Sequence, residues 1–181
     1  MQGTEYYIKE CLLKQFDISW QLLNYHLKDL SIEECLWQPT EKGIFLIKVD
    51  DNNYKGSFPV SESYNIGAPN IAWLTWHIDY WWSMVINHTF GNATLDADMI
   101  EWNPSIPDIQ RKFYELKNNW VEIVSNLSMS DLQSTELAKF PLKDCPFSDI
   151  IAWLNLELMK NASEIGYARF LFGNRHKQID Y

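Results

Sequence analysis

Residues 71–90 read IAWLTWHIDYWWSMVINHTF, an apolar run with Pro69 just ahead of it and Gly91 just after. Proline suits a first helical turn and glycine the left-handed position past a helix end, so the segment is predicted to be one long helix. Trp73, Leu74, His77, Trp81 and Met84 fall on one face at helical spacing, which places a single imidazole in an apolar row. His77 therefore reads either as a core histidine held by a hydrogen bond or as a site residue. The chain contains nine Trp, several of them in this segment, and large rings on one helix mean a thick core, a ligand pocket or a subunit contact.

Three further segments carry the same periodicity. From Tyr6 to about Asp29, residues Leu12, Leu13, Phe16, Trp20, Leu23 and Leu27 recur at three- and four-residue steps. Ser31 and Glu34 form a capping box for a short helix that Pro39 ends near Trp37. After Pro104, Ser105 and Asp108 bracket Pro107 as a start signal, and Ile109, Phe113, Leu116, Trp120 and Ile123 run along one face to about Asn126. Ser130 with Asp131 is read as the cap of a short turn. A last helix takes in residues from Pro146 to Gly173, with Ile150, Trp153, Leu154, Glu157, Asn161 and Ile165 on one face. Between Thr40 and Gly67 the sequence is rich in Gly, Asp, Asn and Ser, with a brief apolar patch at 44–49 and no strand pattern expected elsewhere. These features predict a single all-α domain over residues 1–181, core about 6–173: a four-helix bundle with an extended loop between the first and second long helices.

Fifteen Lys+Arg against 24 Asp+Glu give a formal charge of −9, which argues against nucleic-acid binding because no basic stripe is available to neutralise phosphates. No segment has the uninterrupted apolar length of a membrane span, and no basic start precedes an apolar stretch at the N-terminus. Cys11, Cys35 and Cys145 are widely spaced and odd in number, which fits neither a disulfide framework nor a zinc ribbon and suits a cytoplasmic setting. Glycine-rich phosphate loops, G-x-S-x-G elbows and H-E-x-x-H helices are absent from the sequence, and no cofactor-binding motif stands in their place.

In a helical bundle, sites are built from polar side chains that interrupt the inward stripes. Glu157 and Asn161 stand one turn apart in such a stripe. A buried carboxylate is costly unless paired, so Glu157 either meets His77 or Asn161, or lies at the stripe edge paired with Lys160. Glu164 and His88 are weaker candidates: the first reads as a solvated carboxylate or a support for Asn161, the second as a residue at the helix mouth. His26 near a helix C-terminus is favourable there without any function. His176 falls in a polar tail, and the three thiols read as structural.

The 69–91 segment, together with NLELMKNASEIGYARFL at 155–171 and Trp37-Gln38-Pro39 after the first helix, resembles the DinB-like (YfiT-related) four-helix superfamily over nearly the whole chain. The order and spacing of the motifs carry the resemblance. It implies a divalent-metal site in which His77 matches the first ligand, with Glu157 and Asn161 at the two remaining positions. Ile165 and Arg169 match the family pattern, and Ser163 stands at its usual glycine. Relatives of this kind pair as homodimers, and some are metal-dependent thiol S-transferases or hydrolases. Here two of the three family histidines are replaced, and an amide oxygen is a poor ligand for zinc or nickel. The resulting expectation is a small-molecule-binding or catalytically degenerate member. The alternative is an enzyme with one Zn, Ni or Mn ion, acting by Lewis-acid activation of water or a thiol.

Overall fold

The computed structural model of the chain describes residues 2–61 and 63–175, with side chains from residue 7 onward. The first long helix, α1 (Gln2–Leu27), is followed by the short α2 (Ile32–Leu36) and then by four two-residue strands. These are β1 (Gly43–Ile44), β2 (Ile47–Lys48), β3 (Tyr54–Lys55) and β4 (Ala68–Pro69). After them come α3 (Ile71–Phe90), β5 (Glu101–Trp102), α4 (Ile106–Asn126), the short α5 (Met129–Gln133) and α6 (Phe147–Asn174). The protein is mainly helical, and α1 and α3 each pack against both α4 and α6.

The apolar periods find the core as expected. On α1, Leu12, Phe16, Trp20, Leu23 and Leu27 are buried and Leu13 is partly so; on α4, Ile109, Phe113 and Trp120 are buried, Leu116 and Ile123 only partly, and Val124 takes the inward place next to Ile123. Helix α3 differs, because it is buried around most of its circumference rather than along one stripe. Its tryptophans fill the core and also tie loops to the helix. Trp73 Nε1 donates to the Ser57 carbonyl, Trp76 Nε1 to that of Ile100, and Trp102 Nε1 to Thr75 Oγ1, each at 2.9 Å. These three indoles tie the chain segments around α3 to it, whereas the buried indole N–H groups of Trp82 and Trp120 have no partner among the described residues. The one carboxylate that α3 buries, Asp79, faces α4 and is matched by Lys112 at 3.5 Å and by the Ser83 hydroxyl.

Several local expectations are corrected. Helix α3 begins two residues after Pro69, which belongs to β4; Asn70 is the N-cap, its Oδ1 accepting from the Trp73 amide at 2.9 Å. Gly91 is extended, at φ −101°, and the left-handed residue is Ala93 at φ 56°. Ser31 caps α2, but Glu34 does not reciprocate, because its carboxylate turns to Arg169. The capping box at α5 belongs to Ser128 and Asp131, not Ser130. The extended connection holds two small sheets, β1 with β4 in parallel and β2–β3–β5 antiparallel, the last strand coming from outside it. The tryptophans of α3 are mostly buried in the core, with Trp81 partly exposed. Exposed apolar side chains on the long helices include Ile18 and Tyr25 on α1, Phe90 at the end of α3, Tyr114 on α4, and Leu156, Tyr167 and Phe170 on α6.

Gly56 marks where the connection rests on α3. A Cβ there would lie 2.1 Å from the Trp76 indole, which is 1% exposed and anchored through its own N–H. Gly56→Ala is therefore expected to cost about 1–3 kcal/mol through overpacking, read from urea denaturation. An unchanged midpoint would mean that the connection lifts off α3 without loss.

Candidate functional site

A cleft of about 690 Å³ opens between α3, α6 and the connection. One wall is Trp73, His77, Tyr80 and Trp81, spaced at i, i+4, i+7 and i+8 on α3. The other is Glu157, Lys160, Asn161 and Glu164, at i, i+3, i+4 and i+7 on α6. Phe58, Pro59 and Ile66 close it from the connection. The Trp73–Ser57 bond holds Phe58 over the rings of α3, with its centroid 4.8 Å from Tyr80 and 5.5 Å from His77.

His77 is 5% exposed and has protein partners at both ring nitrogens. The Asn161 amide fixes the tautomer. Its Nδ2 donates to the Glu157 carbonyl at 2.8 Å, which turns Oδ1 toward the imidazole at 3.1 Å. Nδ1 of His77 must therefore carry the proton and donate it, while Nε2 accepts from Trp81 Nε1 at 2.7 Å. The ring stacks on Trp73 at 4.4 Å between centroids. Burial among these groups lowers the imidazole pKa to about 4, outweighing the Asn161 bond, so the ring is neutral at physiological pH.

The structure thus brings His77 and Asn161 together and leaves Glu157 on the same cleft with a different partner. Of the readings open for Glu157, the edge position holds: its carboxylate meets Lys160 Nζ at 2.7 Å, one turn along α6. Sequence reasoning misses Phe58, does not foresee the Trp81 contact with the imidazole, and names Glu164 only as a weaker candidate. Trp81 shares the His77 face in sequence, but nothing local says that its N–H points at the imidazole four residues back. Phe58 sits in a polar connection with no periodicity to place it. Glu164 is half-buried and lines the cleft, and burial raises its carboxyl pKa.

The other candidates lie elsewhere. His88 stacks on Phe140 and donates from Nε2 to the Leu95 carbonyl at 3.0 Å. His26 packs against Gly166 near Arg169, away from the cleft. Cys35 is fully buried, and desolvation pushes its thiol up to about 12, which makes it inert; Cys11 is exposed and Cys145 half-buried. His176 lies outside the described residues.

The divalent ion implied by the resemblance does not fit this donor set as it stands. Ligation by His77 Nε2 would strip the acceptor from the Trp81 N–H, and the Asn161 amide already uses both ends. Glu157 is engaged by a lysine, whose charge opposes a cation beside it. Among the described residues, no three His, Cys, Asp or Glu side chains converge in a way that could hold a metal ion. No described helix is long and apolar enough to cross a membrane.

No curated protein and no solved structure matches the chain. The family model described as the DinB superfamily matches residues 15–165, a span that takes in both walls of the cleft. The chain belongs to the DinB superfamily.

Proposed function

We propose that this protein is a four-helix bundle of the YfiT-like type whose cleft binds a small molecule without a resident metal ion. The observation that carries this reading is the Trp81–His77–Asn161 chain, in which the imidazole is neutral and has a protein partner at each nitrogen. Such a chain is a rigid, uncharged floor for a ligand pocket. Its imidazole has neither a free lone pair for a metal nor a free site for general-base work. A cytoplasmic setting belongs to the same reading, as does a homodimer formed through the apolar side chains of α1 and α6. The alternative, a divalent-metal-dependent thiol S-transferase or hydrolase, draws its support from the fact that His77, Glu157 and Asn161 line one cleft.

Metal analysis of protein purified without chelator or polyhistidine tag separates the two. The expected result is no stoichiometric metal and a melting midpoint unmoved by added Zn²⁺, Ni²⁺ or Mn²⁺, since an ion bound only by the folded state would raise it. About one ion per chain, lost in His77→Ala, would overturn the proposal.

A further inference from the structure

The cleft is chemically two-sided. Phe58, Trp73, Tyr80 and Trp81 supply aromatic rings from α3 and the connection, while α6 supplies two carboxylates and one ammonium. Glu157 and Lys160 cancel one another at 2.7 Å. Glu164 is left over: among the described residues it has no hydrogen-bond donor and no cation within 4 Å. His77 adds no charge, being held neutral.

We infer that the cleft takes an organic ammonium ion with a flat apolar body, its head set against Glu164 and its body among the rings of α3 and Phe58. This rests on the small-molecule reading above and names the ligand class. Two independent features point the same way. A half-buried carboxylate without a partner gains most from an N–H donor that arrives with a positive charge. Aromatic faces attract cations and accept flat apolar groups, and they disfavour anions. Burial, with a smaller contribution from the Glu157 carboxylate, raises the Glu164 carboxyl above its ordinary range in spite of the nearby Lys160 charge, so a cation placed directly against it would be favoured. Lys160 acts on Glu164 only at a distance, because Glu157 holds its ammonium and it makes no ion pair with Glu164.

The test is calorimetric titration of the full chain with three probes of one shape: phenethylammonium, 2-phenylethanol and 3-phenylpropionate. The expected order is the ammonium at least about tenfold tighter than the alcohol, the carboxylate weakest, and the ammonium advantage lost in Glu164→Gln. Equal binding of ammonium and alcohol would overturn the ligand class and leave the small-molecule cleft standing. Tighter binding of the carboxylate would make Lys160 the anchor and would also overturn it. An ammonium preference that survives Glu164→Gln removes Glu164 from the site. If none of the three binds at millimolar concentration, the ligand class and the small-molecule reading fall together.

Discussion

Arg169→Ala is expected to lower the stability of the protein by about 3 kcal/mol. From α6 its guanidinium donates through Nε to Glu34 Oε1 at 2.8 Å, and through Nη1 to the carbonyls of His26 at 2.7 Å and Lys28 at 2.8 Å. Those two carbonyls belong to the end of α1 and the turn after it, where helical acceptors have no partners of their own. Glu34 is buried, with its side chain 8% exposed, so removing the arginine leaves a desolvated carboxylate and two orphaned carbonyls together. Lysine should restore only part of the loss, because a single ammonium cannot span three acceptors in the plane of a guanidinium. Denaturant midpoints for Arg169→Ala, Glu34→Ala and the double variant check this. Additive losses would mean that the two side chains do not interact in solution.

Acid should destabilise the protein through His77. The folded-state pKa is depressed to about 4 from the ordinary 6.5, so between those values the unfolded chain binds a proton that the native protein refuses. Stability is then complete above about pH 6.5, falls as pH drops through the window, and has lost about 3 kcal/mol from this group near pH 4. His77→Gln keeps a neutral amide in the same place and has nothing to titrate there. The difference in stability between the two proteins should therefore shrink steeply from pH 6.5 to pH 4, while His26, Asp79 and Glu164 titrate alike in both. A pH-independent difference would put a charged, solvated imidazole in place of the hydrogen-bonded one. Direct titration of the imidazole by NMR gives the same information without unfolding.

Helix positions were legible because each long helix carries its own apolar period and end signals, such as Ser105 with Pro107 at the start of α4. Helix faces were legible too: Leu12, Phe16, Trp20, Leu23 and Leu27 are spaced for burial before any partner is known. The candidate site was legible in part. His77 and Asn161 interrupt apolar rows on two helices, and an interrupted row is visible without coordinates. Local capping was the weakest part, because neighbouring serines and prolines compete for the same role. Asn70 caps α3 with a side-chain oxygen that Pro69 lacks, and Ser128, three residues before Asp131, stands where its hydroxyl reaches the Asp131 amide.

Periodicity along the chain therefore fixes which residues turn inward, since the repeat of a helix is a property of the backbone alone. Partner choice is a different matter. That Asn161 takes the Nδ1 of His77, that Glu34 takes Arg169 rather than its own helix start, and that the Ser57 carbonyl takes the Trp73 indole all depend on how helices and loops sit against one another. Hydrogen bonds and ion pairs act over about 3 Å, a scale that no spacing along the chain determines between segments far apart in sequence.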